Sequence, residues 1–146
     1  MPTVCDRHEF TFEFDKAFTR QLIEKFEASP VHQLTTDVAP RRNGIYALYR
    51  NGEIVYAGKA LPTTLKRRLS EHYRKITSRQ NVNVQEMTCR FLAIDSDWFV
   101  RAGEYALIKT YTPVWNKSGV GSHVPGAGRP GVRISKFDKL FPPKKR

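Results

Sequence analysis

The chain has 146 residues, of which 25 are Lys or Arg and 14 are Asp or Glu, so its formal net charge is +11. One domain, 1–146, suits this length, and a hydrophobic content of 40% excludes wholesale disorder. No apolar run approaches the roughly 18 residues of a membrane helix, no secretory signal opens the chain, and two cysteines form no disulfide framework. We therefore expect a cytoplasmic protein whose charge favours nucleic acid as its partner.

The first predicted element is a helix over 15–28, because large apolar residues recur every four positions from Phe18 to Phe26. Asp15 is its expected N-cap. The following residues, 30–40, begin and end with proline and are predicted to form a connector.

Residues 44–59 predict a β-hairpin, since two β-rich runs flank an Asn51-Gly52 turn. Two registers remain open. A two-residue turn would place Tyr46 opposite Ala57, with Tyr56 on the other face of the sheet. A three-residue loop with a bulge at the turn glycine would place Tyr46 directly opposite Tyr56. Apolar residues fall on both faces in either register, so burial does not decide between them.

The remaining pattern predicts a small α+β domain, with a three-stranded antiparallel sheet flanked by helices. Residues 117–146 hold eight basic residues and one acidic residue, together with many of the glycines and prolines, which predicts an irregular basic arm that orders on a phosphate backbone. A solvated tail is the alternative. The elements predicted between hairpin and arm are a helix over 62–76, a polar loop over 77–86, a strand over 87–94 and a helix over 96–111 capped by Ser96 and ended by Pro113.

Glu104 lies in the middle of the apolar face of the last of these helices, which Val100 and Leu107 share at about 100° per residue. A carboxylate in an apolar stripe is costly to desolvate unless a cation or a hydrogen-bond donor meets it. One interpretation is a glutamate paired with a lysine or arginine. The other is a metal ligand in a cleft, where one carboxylate, water and substrate phosphates suit Mg²⁺.

His72 falls inside the apolar stripe of the preceding helix, and Arg68 lies one turn before it. Residues at i and i+4 lie on the same side of a helix, so both side chains can reach one point. A histidine in such a stripe is also compatible with an ordinary buried residue whose hydrogen bonds are satisfied.

Gly44-Ile45-Tyr46 and Tyr56-Ala57-Gly58 resemble the paired motif of the GIY-YIG nucleases, with Ala57 in place of isoleucine. The resemblance covers a core of about 44–116 and includes the order of the elements. More narrowly, Arg68-x-x-x-His72 and residues 121–129 resemble the type II restriction endonucleases of this superfamily that cut the palindrome CCGCGG.

The resemblance implies metal-assisted hydrolysis of a phosphodiester bond. Glu104 would hold a single Mg²⁺ ion, with Mn²⁺ as an expected substitute, and Arg68 would offset the negative charge of the phosphorane. Tyr46, helped by Tyr56 and His72, would take the proton of the attacking water. A free phenol has a pKa near 10, so this role requires positive charge nearby.

The same resemblance implies that Asn116 positions a loop or the leaving group, and that Lys59 contacts a phosphate or remains solvated. Four arginines are candidates for contacts to guanine bases, and for each of them a phosphate contact is the other interpretation. They are Arg41, Arg42, Arg129 and Arg133.

The predicted partner is double-stranded DNA, read by the core, its loops and the basic arm, since no segment remains for a separate DNA-reading domain. A palindromic site would require a homodimer in which each copy cuts one strand. We therefore expect a sequence-specific type II restriction endonuclease. The alternatives are a structure-selective or weakly specific GIY-YIG nuclease of repair or phage DNA processing, and a non-catalytic basic DNA-binding module.

Overall fold

The computed structural model describes residues 7–117 and 135–145. It has the predicted α+β architecture, an antiparallel sheet flanked by helices. None of the helices in these ranges has the length and apolar character needed to cross a bilayer. In chain order the elements are α1 (Phe14–Ala28), β1 (His32–Gln33), β2 (Gly44–Arg50), β3 (Glu53–Ala60), α2 (Leu65–Thr77), β4 (Met87–Ala93), α3 (Asp97–Tyr111) and α4 (Lys136–Leu140).

Within the described residues the sheet has four strands in the order β1-β4-β2-β3, so the prediction of three strands is wrong by one. The additional strand, β1, lies in the segment predicted to be a connector and pairs His32 with Cys89. Two residues are too few to show an alternating pattern, and this pairing depends on β4, which comes much later in the chain.

The hairpin combines features of both predicted registers and matches neither. Asn51 and Gly52 have φ values of 51° and 85° and form a two-residue turn, which pairs Arg50 with Glu53. The register then shifts by one residue, so that Tyr46 pairs with Gly58 and Leu48 with Tyr56. This bulge brings the two motif tyrosines to the same face of the sheet despite the short turn.

Both faces of the sheet are covered, which explains why β2 is buried at five consecutive positions. One face carries Tyr46 and packs against α2 and α4. The opposite face packs against α1 and α3, and its fully or nearly fully buried side chains are Phe26, Ile45, Ala47, Ala57, Val100 and Leu107.

Side-chain caps fix the beginnings of α2 and α3. The Ser96 hydroxyl accepts a hydrogen bond from the Phe99 backbone, as predicted, and Thr64 caps α2 in the same way. Such caps stabilise a helix by about 1 kcal/mol. Asp15 is not an N-cap: it lies in the first turn of α1, where its charge favours the positive end of the helix dipole.

The C-terminal residues differ from the predicted irregular arm. Residues 118–134, which include Arg129 and Arg133, lie outside the described ranges. Beyond them α4 packs into the core through Phe137 and Phe141. Its Asp138 accepts a 2.6 Å hydrogen bond from buried Arg79. An aromatic pair at i and i+4 therefore makes this part of the arm a structural helix.

Candidate active site

The two motif tyrosines lie side by side beneath α2, with their ring centroids 6.1 Å apart. Gly58, directly opposite Tyr46 on β3, makes this arrangement feasible. A Cβ atom at Gly58 would lie 2.7 Å from the Tyr46 hydroxyl oxygen and 2.9 Å from the ring of Tyr56. The glycine of the second motif therefore provides the space that the hydroxyl of the first motif occupies.

Tyr46 is fully buried and its hydroxyl lies 2.7 Å from Nε2 of His72. Burial and the neighbouring Tyr56 raise the pKa of Tyr46 well above its usual value, and Arg68 opposes that rise. The phenol is thus protonated in the free protein, and its hydroxyl shares a hydrogen bond with Nε2 of His72. One Nη atom of Arg68 lies 3.5 Å from the same Nε2 atom, as the i,i+4 spacing predicted.

Arg68 is nearly buried, and its Nη1 donates a 2.8 Å hydrogen bond to Glu71. Burial acts to lower the pKa of Arg68, but Tyr46, Glu71 and Tyr56 outweigh it and hold that pKa above its usual value. Glu71 also accepts from Arg67 at 3.3 Å. Sequence reasoning missed Glu71, although its i,i+3 spacing from Arg68 was a usable signal.

Glu104 on α3 forms an ion pair with Lys59 on β3, with Nζ and Oε1 3.1 Å apart. The side chains of Lys59 and Glu104 are 32% and 25% exposed, so the carboxylate is neither free in solvent nor fully dehydrated. Pairing with a lysine was one of the two interpretations of Glu104. It does not by itself exclude the other, because the pair opens onto a cleft.

Tyr56, Arg68, Lys59 and Glu104 converge on this cleft, which has a volume of about 420 Å³. Burial raises the pKa of Tyr56, and Arg68 works against that rise. Tyr46 and His72 do not line the cleft; they contact Tyr56, whose ring centroid lies 5.0 Å from that of His72. The lining residues are Tyr56, Lys59, Leu61, Pro62, Thr63, Arg67, Arg68, Glu71 and Glu104.

Asn116 binds the backbone of β3 instead of facing the cleft. Its side-chain oxygen accepts a 2.9 Å hydrogen bond from the Ala57 amide, and its side-chain nitrogen donates a 2.7 Å bond to the Ala57 carbonyl. The Trp115 amide donates to the carbonyl of Val55 on the same strand. These contacts join the turn that contains Asn116 to β3, and the role of Asn116 in catalysis stays a prediction.

The candidate DNA-contacting arginines lie apart from the cleft where they are described. Arg41 is exposed. Arg42 pairs with Asp95 at 2.6 Å on the protein surface, and neither arginine lines the cleft. Arg129 and Arg133 belong to the residues that are not described.

The donor set of the cleft fits a hard cation held by few protein ligands. The described residues contain no group of three or more His, Cys, Asp or Glu side chains able to hold a metal ion, so a zinc-type cage is not present among them. Mg²⁺ keeps several water ligands and binds through one or two carboxylates plus substrate phosphates. Glu104 in a polar, open cleft meets that requirement.

The chain is similar to one protein family and to several solved structures. The family model described as the Eco29kI GIY-YIG domain matches residues 50–146. The GIY-YIG N-terminal endonuclease domain of UvrC from Thermotoga maritima, bound to magnesium as its catalytic divalent cation, is 20% identical over 66% of this chain and 96% of that chain, with a TM-score of 0.42. A point mutant of that domain bound to its catalytic divalent cation is 22% identical over 65% of this chain and 93% of that chain, with a TM-score of 0.44. No curated protein matches.

The family model begins after the first tyrosine motif and extends beyond Asn116 to the end of the chain. It therefore includes α4 and the residues before it, which lie outside the core of 44–116 inferred from the motifs. The matched part contains Tyr56, Arg68 and Glu104 and makes up about two thirds of the sequence. The chain belongs to the GIY-YIG family of the Eco29kI domain, and it is a metal-dependent DNA endonuclease.

Proposed function

We propose that this nuclease is a type II restriction endonuclease that hydrolyses double-stranded DNA as a homodimer, with CCGCGG as its proposed site and the cytoplasm as its location. The observation that carries the hydrolytic part is the convergence of a carboxylate, an arginine and a phenol in one cleft. The restriction role draws on the family of the matching model and on the motif resemblance of Arg68 and His72.

In this proposal Glu104 holds one divalent cation, Mg²⁺, or Mn²⁺ as a substitute. When bound, the cation supplies positive charge beside the scissile phosphate and the leaving oxygen. Lys59 adds a second positive charge at the same wall of the cleft. Glu104 is well placed for the role because it projects from α3 into the cleft while Val100 and Leu107 of the same helix are fixed in the core.

Arg68 offsets the charge that develops on the phosphate in the transition state. Its guanidinium lines the cleft and is oriented by Glu71 on one side and by the Tyr46–His72 pair on the other. A donor held in place before the reaction costs no reorganisation when the charge forms. An arginine guanidinium is cationic at physiological pH, and the contacts of Arg68 hold its pKa above the usual value.

The proton of the attacking water passes to the hydroxyl of Tyr56, which lines the cleft and is hydrogen-bonded to Tyr46, and Tyr56 in turn gives up a proton to the buried Tyr46–His72 pair. A neutral phenol can take a proton only if it gives up its own, and the Tyr46 hydroxyl has an acceptor, Nε2 of His72, at 2.7 Å. Tyr56 lines the cleft between this pair and the solvent and orients the water. Asn116 acts at a distance, by holding β3 through Ala57.

Digestion of plasmid DNA by the full chain with Mg²⁺ tests the proposal. We expect discrete fragments from a plasmid that contains CCGCGG. Glu104→Gln should reduce cleavage by at least about 10²-fold while DNA binding persists in a gel-shift assay. Glu86→Gln is the matched control, because Glu86 also pairs with a basic residue, Arg50 at 2.8 Å, and its side chain is 33% exposed, but it lies outside the cleft.

The fragment pattern separates the proposal from its alternatives. A smear, or a preference for branched DNA, would indicate a structure-selective or weakly specific nuclease. Intact plasmid with retained DNA binding would indicate a non-catalytic module. If Glu104→Gln cleaves the plasmid as fast as Glu86→Gln does, Glu104 does not bind the cation.

A further inference from the structure

The two carboxylates that line the cleft among the described residues already have cationic partners. Glu71 accepts from Arg68 at 2.8 Å and from Arg67 at 3.3 Å. Glu104 accepts from Lys59 at 3.1 Å. The carboxylate proposed to bind a divalent cation is therefore neutralised by the protein itself before any cation or DNA arrives.

Lys59 differs from Arg68 in its freedom to leave its partner. Arg68 is nearly buried, and Glu71 and His72 both lie within bonding distance of it on the same helix. Lys59 instead ends in a compact ammonium group on a flexible stem, and the structure shows it paired with Glu104 at the wall of an open cleft. A phosphate in the cleft would offer this ammonium group a second anion within reach.

We propose that Lys59 is an internal counter-ion that competes with the divalent cation for Glu104. In the DNA-free protein its ammonium group occupies the carboxylate, so the cation binds weakly. When DNA enters the cleft, Lys59 leaves Glu104 and pairs with a backbone phosphate, so that the Glu104 carboxylate becomes available to the cation. This inference rests on the proposed function, since it takes Glu104 as the cation ligand.

Such an exchange couples metal binding to DNA binding. Because the ammonium group and the cation compete for one carboxylate, any anion that draws Lys59 away increases the affinity of Glu104 for the cation. The reciprocal also holds: a bound cation releases Lys59 and strengthens the contact with phosphate. The cleft would thus acquire its cation chiefly in the presence of DNA.

Calorimetric titration of the full chain with Ca²⁺ tests the competition directly, without reference to cleavage. Lys59→Met keeps the length of the side chain and removes its charge, and we expect it to bind Ca²⁺ about five- to tenfold more tightly than the unchanged protein. Lys66→Met is the matched control. Lys66 also pairs with a carboxylate, Asp37 at 3.3 Å, and its side chain is 33% exposed, but it does not line the cleft.

A second titration in the presence of a duplex containing CCGCGG, with its integrity checked on a denaturing gel, tests the coupling. DNA should strengthen Ca²⁺ binding more in the unchanged protein than in Lys59→Met. The ratio between these two increases in affinity should be about the same five- to tenfold factor by which Lys59→Met gains affinity without DNA. Equal affinity of Lys59→Met and Lys66→Met without DNA would overturn the inference. Thermal unfolding of Lys59→Met, with Lys59→Gln as a second variant, shows whether each variant is folded.

Two further results separate this inference from the proposed function. If Lys59→Met tightens Ca²⁺ binding and the double variant with Glu104→Gln keeps that gain, the cation binds elsewhere, so the counter-ion inference and the assignment of the cation to Glu104 both fail. If the gain disappears in the double variant but the unchanged protein never cuts plasmid, the counter-ion exchange stands and the restriction function fails.

Discussion

Gly58 shows how a residue without a side chain determines the chemistry of its neighbours. The Tyr46 hydroxyl occupies the volume where a Cβ atom of residue 58 would be, and from there it reaches His72. The second glycine of the motif is thus required by the first tyrosine, across the hairpin. A motif that looks like two separate triplets in the sequence is one packing unit in the structure.

Gly58→Ala should therefore impair catalysis more than folding. The added methyl group would push the Tyr46 hydroxyl away from Nε2 of His72. A misplacement of about 1 Å in an active site lowers the rate by about 10²-fold. The plasmid assay measures the loss, and denaturant unfolding measures the accompanying change in stability.

Gly52→Asn is the control for that substitution, because Gly52 has a φ of 85°, which asparagine tolerates, and nothing lies within 4 Å of its missing Cβ. Cleavage by Gly52→Asn should match the unchanged protein. Cleavage by Gly58→Ala at that same rate would contradict the assigned role of Tyr46.

At this scale the sequence pointed to Tyr56, Arg68 and Glu104, which line one cleft in the structure, and it missed how their charges are compensated. The helical spacing placed Arg68 beside His72, as the structure does, and the apolar stripe around Glu104 required a cation or a hydrogen-bond donor, which Lys59 supplies. It could not show that the cation is Lys59, because Lys59 and Glu104 belong to elements 45 residues apart in sequence. Glu71 was overlooked because an acid on a basic helix usually belongs to the solvated face, although its i,i+3 spacing from Arg68 was a usable signal.

Among the elements, α4 is the one that sequence patterns describe least well. Only five residues long, it falls in a stretch rich in glycine, proline and basic residues, which predicts an irregular chain. Its stability comes from tertiary contacts: Phe137 and Phe141 pack on Trp115, and Asp138 binds Arg79. Such contacts override local propensity, whereas the long amphipathic helices α1, α2 and α3 were predictable to within a few residues.

The docking of α4 onto α2 gives stability a dependence on pH through Lys75. Burial, together with nearby Arg79, lowers the pKa of Lys75 from 10.5 to about 8, and Asp138 only partly opposes this. The folded state is thus penalised where Lys75 is charged, below pH 8. That penalty decreases as the pH rises from about 8 towards 10.5, where the unfolded chain also loses the proton.

Lys75→Met should accordingly be more stable than the unchanged protein at pH 7, by about 1 kcal/mol after allowance for partial exposure. The difference should shrink at pH 9.5. Urea unfolding at both pH values measures it, with the exposed Lys139→Met as control. If the difference in the free energy of unfolding between Lys75→Met and the unchanged protein is the same at both pH values, the burial of charged Lys75 is not its cause.

The whole molecule keeps one face of its sheet for chemistry and the other for support. The face with Tyr46 and Tyr56 packs against α2, which supplies Arg68 and His72, whereas α1 and α3 pack on the opposite face. Glu104 reaches the cleft from this second layer because it lies beside the edge strand β3. The sequence predicted these layers. It did not predict the hairpin bulge that aligns the tyrosines, because apolar residues fall on both faces of the hairpin and burial therefore does not determine the register.

One cleft of this kind cuts one strand, so a homodimer should cut both strands in a single encounter. On a supercoiled plasmid with one CCGCGG site we expect linear product without accumulation of nicked circles. The time course on an agarose gel measures this, and sedimentation of the DNA complex measures the number of chains. Quantitative conversion to nicked circles before any linear product would contradict a homodimer.

The two hydrogen bonds between the Asn116 side chain and the Ala57 backbone affect what a loss of activity in an Asn116 variant means. β3 is the last strand of the sheet, and the amide of Asn116 occupies both hydrogen-bonding groups of Ala57 on its open side. Removing that amide would expose bare backbone beside Tyr56 and invite another chain to add there. An Asn116 variant would then lose activity because the edge of the sheet is disrupted and the chains self-associate. The reacting groups themselves would remain chemically intact.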